Sequence, residues 1–201
     1  MAYSEFTLES VQKIFQLETV RSVGIFSEME PVVPSAYLTT GLARKASLAT
    51  AIGTEKARSE MIVADVLVEL LEHFDRRISL FSGIDFNVDA EKGLTDVCDF
   101  LISLSPEQFY LEAPIIVLVE AKNVDVKLGL GQCVAEMVAS QRFNAEKGND
   151  IRCIYGASTT GIEWQFLKLE KKHLHIDMAS YTLERCDRLL GILASMVAQK
   201  A

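Results

Sequence analysis

Residues 115–122 read IIVLVEAK: five aliphatic side chains in a row, then a carboxylate, an alanine and a lysine. Side chains of a strand alternate between the two faces of its sheet, so an unbroken apolar run fills both faces. Such a strand belongs at the centre of a sheet covered by helices on each side. The chain around it must therefore supply neighbouring strands and at least two helical layers, an α/β (α+β) arrangement with a central mixed sheet. Glu120 and Lys122 share one face at the end of this strand, where an isolated charge costs several kcal/mol unless it is paired.

The remaining segments fit that frame. Thr7 caps a helix reaching about Leu17, and residues 19–34 read as irregular, broken by Pro31 and Pro34. Residues 35–51 form a second helix. Thr54 opens a third that reaches about Phe74, with the stripe Val63, Ala64, Leu67, Leu70, Leu71 and Phe74 at helical spacing and Glu60 at its amino-terminal end. The period changes to two over 78–88, and 96–103 (DVCDFLIS) is the next strand. After the central strand, Gly129 and Gly131 loosen the chain before a helix over 132–143. Strands follow over 151–157, 163–169 and 173–178, and a last amphipathic helix is capped by Thr182. Residues 1–50 are read as an N-terminal helical extension packed on a core of 51–201, one domain overall, a size that 201 residues allow.

Bulk properties exclude several classes. Apolar content of 49% and charged content of 24% are those of a globular chain. No apolar run approaches the roughly 18–20 residues of a membrane helix, and MAYSEFTLES lacks the pattern of a secretion signal. Cys98, Cys133, Cys153 and Cys186 form no CxxC pair, which points to reduced thiols in a cytoplasmic protein without a structural zinc. A net charge of −8 disfavours strong nonspecific binding to nucleic acid, unless Arg44, Lys45, Arg58, Lys122, Lys127, Arg142 and Lys147 line one side of a cleft. His173, His175 and Asp177 share a strand face, but outward polar positions alternating with Leu174, Ile176 and Met178 account for them without a metal.

If the strand over 96–103 pairs beside the central one, Asp99 reaches the face of Glu120 and Lys122. Asp96 is the rival, but it has the opposite parity and lies less deeply among apolar neighbours. Two carboxylates and an ammonium then converge. Mg²⁺ (or Mn²⁺ in its place) resolves the desolvation problem, since it takes one or two carboxylates together with waters and substrate phosphates. The backbone carbonyl of Ala121 adds another hard oxygen. Lys122 is placed to orient or deprotonate an attacking water.

Asp99 followed, after twenty residues, by Glu120-Ala121-Lys122 resembles the D…(D/E)xK signature of the PD-(D/E)xK nuclease superfamily, the restriction-endonuclease-like fold. Glu60 on the helix before the meander matches a glutamate that many members carry near the metal. Gln132 matches the recurrent glutamine that opens the helix after the third strand. YGASTTGIEWQF (155–166) is similar to a segment of type I restriction enzyme nuclease domains and uncharacterised bacterial relatives. The resemblance covers about residues 54–170 and departs from the family name in having Cys98, not proline, before Asp99. It implies a metal-dependent endonuclease that hydrolyses DNA phosphodiester bonds. Asp99, Glu120 and the Ala121 carbonyl would be metal ligands, Lys122 would be catalytic, and Glu60 and Gln132 would support the site. Weak DNA binding and a homodimer, for which the last helix is apolar enough to supply an interface, are further expectations. The alternative is an inactive nuclease-fold module that binds nucleic acid or protein.

Overall fold

The computed structural model describes residues 2–199. Among them eight strands form one mixed sheet: β1 (Glu18–Ser22), β2 (Ser79–Asp85), β3 (Val97–Ser103), β4 (Ile115–Ala121), β5 (Ile154–Thr159), β6 (Glu163–Glu170), β7 (His173–Asp177) and the two-residue β8 (Tyr181–Thr182). Their order is β1-β7-β6-β5-β4-β3-β2, with β8 also on β6. Every residue of β4 is buried, as its two-sided apolar run requires. β2, β3 and β4 form an antiparallel meander, and β5 then lies parallel to β4. That parallel step needs a crossover, supplied by α5 (Leu130–Glu146).

Helices cover both faces. On one face α5 packs with α1 (Leu8–Phe15) and the segment around Tyr3, enclosing Leu101, Leu118, Cys133, Met137 and Leu167. On the other lie α2 (Ala36–Ile52), α4 (Ala64–His73) and α6 (Cys186–Val197), enclosing Leu67, Phe100, Val117, Val119, Trp164 and Leu193. Helix α5 is buried on almost all sides because the amino-terminal segment crosses its outer surface. Gly131 permits that crossing, since a Cβ there would collide with the Phe6 carbonyl and the Thr7 backbone. Gly131, the second residue of α5, thus serves close approach and does not loosen the chain.

Thr7 and Thr54 cap their helices through the side chain, as read from the sequence, and Ser35 does so as well. Three local expectations are corrected. The stretch 19–34 is not wholly irregular: Glu18–Ser22 adds a parallel edge strand beside β7, satisfying backbone groups that propensity alone leaves open. Thr182 does not cap the last helix. It ends β8 and starts a 3₁₀ turn, without a side-chain cap bond. The helix from Thr54 is interrupted by a π-helical turn, Ser59–Val63, between α3 (Glu55–Arg58) and α4. Bonding from i to i+5 shifts the helical phase there. Ile62, Val63, Val66, Leu67 and Leu70 consequently face the core, while Glu60 turns outward.

Among the described residues no helix is long and apolar enough to cross a membrane.

Candidate active site

The carboxyl end of β4 brings the predicted residues together. Antiparallel pairing sets Phe100 opposite Val119 and Leu101 opposite Leu118, and one further step along that register brings Asp99 to Glu120. Here the ladder is completed by a side chain: Asp99 Oδ2 accepts the Ala121 backbone N–H at 2.9 Å. Asp96 does not reach the cluster; its carboxylate accepts from Ser4 Oγ at 3.0 Å and from the Val97 N–H. On the other side of β4, parallel pairing aligns Ser158 with Glu120.

Glu120 shares the face of Leu118 and points toward α5. Lys122 Nζ donates to Glu120 Oε1 at 2.5 Å and to Gln132 Oε1 at 3.3 Å. The amide of Gln132 in turn donates through Nε2 to Glu136 Oε1 at 3.2 Å. Glu120–Lys122–Gln132–Glu136 is therefore one continuous polar chain running from β4 into α5. The lysine side chain is 17% exposed and Gln132 is half-buried, whereas Glu120 and Glu136 are buried. Each of those glutamates keeps one buried oxygen, Oε2, without a hydrogen-bond partner. The Cys98 thiol lies beside Glu136, and its interaction favours the charged form of that carboxyl.

Proton affinities follow from this burial. Desolvation, then the charges of Glu136 and Asp99, hold the Glu120 carboxyl well above its ordinary range, against the opposing pull of Lys122. Glu136 is raised to about 8, chiefly by desolvation and further by Asp99, although the Gln132 hydrogen bond favours its charged form. The two buried carboxyls thus do not both carry a full charge at neutral pH. For Lys122, burial is the largest influence and favours the neutral amine. Glu120, with Glu55 and Asp99 behind it, outweighs burial and keeps the group an ammonium.

Close packing fixes the arrangement. Gly129 ends the 3₁₀ turn Val126–Gly129, directly above the cluster. A Cβ on it would strike Ser158 Oγ and stand 3.1 Å from Lys122 Cγ and 3.2 Å from Glu120 Cγ. Ser158 Oγ donates to the Val126 carbonyl at 2.6 Å, tying β5 to the same turn.

Glu60 is not joined to this network by any hydrogen bond. Its side chain is 60% exposed and pairs with Lys56 at 3.7 Å. From that segment it is Glu55 whose charge reaches Lys122. The basic residues expected along one cleft are divided: Lys45 pairs with Asp65 between α2 and α4, whereas Arg142 pairs with Asp89 and stacks on Phe15 across the sheet. Asp177 is spent structurally, accepting from the backbone of Gly24, Phe26 and Ala179 and from the Tyr181 hydroxyl.

Sequence reasoning missed Glu136, Ser158 and Gly129. Glu136 had a readable signal: a carboxylate four residues after Gln132, hence on the same helical face, within the otherwise apolar stretch Cys133–Ala139. Among the described residues no group of three or more His, Cys, Asp and Glu side chains is arranged to hold a metal ion. Compared with family models, with curated proteins and with solved structures, the chain matches none.

Proposed function

We propose that this protein is a Mg²⁺-dependent nuclease of the PD-(D/E)xK type, hydrolysing DNA phosphodiester bonds. One observation carries the reading: Asp99 and Glu120 meet across adjacent strands, and Glu120 retains a buried, unpartnered oxygen beside an ammonium held by Gln132. A buried carboxylate oxygen without a partner is costly, and a cation is one way to satisfy it. Two carboxylates fit the ligand demand of Mg²⁺, which keeps several waters and needs no all-protein cage. Asp99, Glu120 and the Ala121 carbonyl would hold the ion; Mn²⁺ would substitute. When bound, Mg²⁺ would supply Lewis acidity to the phosphate and acidify a water.

The protein's own groups have defined tasks in this scheme. Glu120 holds Lys122 in place and keeps it charged. Lys122 orients the attacking water and stabilises negative charge developing on the phosphoryl oxygens. Gln132 restrains the lysine from the α5 side. The net charge of −8 and the divided basic residues make DNA affinity weak at physiological salt.

The test is cleavage of supercoiled plasmid at low salt with Mg²⁺ or Mn²⁺, comparing wild type with Lys122→Ala and Asp99→Ala. Nicking by the wild type alone supports the assignment. Equal nicking by all three proteins would trace the activity to a contaminant and remove it. The second reading, a nuclease-fold binding module without turnover, is favoured by the ammonium already occupying Glu120 Oε1. Calorimetric Mg²⁺ titration separates the two: a competent site binds the ion, and Glu120→Gln abolishes that binding.

A further inference from the structure

We propose that Arg58 is a binding residue of the candidate active site and holds a backbone phosphate of the DNA at the outer edge of its guanidinium. That the ligand is DNA rests on the nuclease reading above; the placement of the arginine does not. Arg58 ends α3, directly before the π-helical turn Ser59–Val63. Its Nη1 donates to the Thr160 carbonyl at 3.1 Å. Thr160 follows the last residue of β5, Thr159, whose own carbonyl accepts the Lys122 backbone N–H at 2.7 Å. The guanidinium is thereby anchored one residue beyond the level of Lys122, at the sheet end where Asp99 and Glu120 meet.

The anchor is rigid. Thr159 Oγ1 accepts the Gly161 N–H at 2.8 Å and donates to the Glu163 carbonyl at 2.8 Å. Thr160 Oγ1 accepts the Glu163 N–H at 3.1 Å, and the Trp164 indole donates to the Gly161 carbonyl at 3.2 Å. Gly161, at φ +81°, packs on Ile62, so Arg58 and Ile62 hold one turn from the same helical segment. The five N–H groups of the guanidinium are used unequally. Nε is buried without a partner, Nη1 serves Thr160, and Nη2 has no partner but is not sealed from solvent. Among the described residues no carboxylate pairs with Arg58, whereas Lys56, two positions earlier, has Glu60. A neutral donor would tie α3 to the turn equally well, and a half-buried cation left without a counter-charge is costly as pure structure. A guanidinium fixed at its base with one edge free is arranged for an anion, and its planar donors suit phosphate oxygens.

The decisive comparison separates the tie from the charge. Arg58→Gln keeps a donor for Thr160 and loses the charge; Arg58→Lys keeps the charge. Binding of a short DNA duplex would be followed by fluorescence anisotropy over a range of salt concentrations, without divalent metal. Each phosphate neutralised adds about 0.9 to the steepness of log K against log salt. Arg58→Gln is therefore expected to be shallower than the wild type by about 1 and to bind about tenfold more weakly at low salt, while Arg58→Lys retains the wild-type slope. Arg152→Ala makes the same change of charge near the opposite end of β5, where the side chain is 77% exposed, and should leave the slope unchanged. Equal slopes in the wild type and Arg58→Gln would overturn the proposal, as would a loss shared by Arg152→Ala or a wild type that binds no duplex at low salt. Should Arg58→Gln not fold, the wild type decides: the NMR signal of the buried Arg58 Nε–H must move when duplex is added, and an unmoved signal refutes the contact. If the wild type binds the duplex but cuts no DNA with Mg²⁺, the nuclease reading falls while the salt slope still judges Arg58.

Discussion

Burying Glu136 should make stability fall as pH rises, and replacing it with glutamine should remove that dependence. In the folded protein its carboxyl is raised from 4.5 to about 8, first by desolvation. Between those values the native state keeps a proton that the unfolded chain has released. Stability therefore declines with pH across this window, by about 1.4 kcal/mol per pH unit. Spread over about 3.5 units, the full penalty is roughly 5 kcal/mol above pH 8, comparable with the whole stability of many domains. Glu136→Gln cannot ionise but still accepts from Gln132. The variant and wild type should match near pH 5 and diverge progressively, the variant being several kcal/mol more stable at pH 9. Glu120, also raised, contributes a slope of the same sign in both proteins; losing the Glu136 charge that helps raise it makes that slope smaller in the variant and adds to the difference. His175, lowered chiefly by burial, acts with the opposite sign in both. Urea denaturation at pH 5, 7 and 9 measures the effect, and with a slope of about 3 kcal/mol/M the midpoints at pH 9 should differ by about 1 M or more. Parallel pH profiles for the two proteins would show that Glu136 does not hold its proton in the folded state.

Two further substitutions probe the frame around the site. Gly129→Ala should destabilise the protein by about 1–3 kcal/mol, because the added methyl meets Ser158 Oγ and crowds Lys122 and Glu120; a double-mutant cycle with Ser158→Ala should show coupling, and additivity would contradict the packing described. Asp177→Ala removes the acceptor of three backbone N–H groups and the Tyr181 hydroxyl. It should cost about 3–5 kcal/mol in urea denaturation and open residues 23–29 to limited proteolysis, whereas unchanged protease resistance would place the restraint elsewhere.

Much of the architecture was legible because it depends on local pattern. The apolar run of β4 identified a central strand, and period-two alternation located its meander neighbours. Thr7 and Thr54 marked two helix starts through capping chemistry. The shared face of Glu120 and Lys122 followed from strand parity alone, and parity also separated Asp99 from Asp96. β1 was not legible: its five residues are mostly exposed, so no burial pattern announced a strand that exists only because β7 offers an edge. Glu60 was misplaced on the buried stripe because helical spacing presumes an unbroken α-helix, and one π-helical turn shifts the phase.

By itself the sequence determined which side chains share a face, since that depends only on the repeat of a strand or helix. It thereby determined that two charges end a buried strand. Which partners those charges meet was decided by the tertiary structure. Register between strands brought Asp99 to Glu120, and the close approach of α5, permitted by glycines 129 and 131, brought Gln132 and Glu136 to Lys122. Burial of a carboxylate, and with it the proton it holds, is a property of everything packed around it, and no local repeat encodes that.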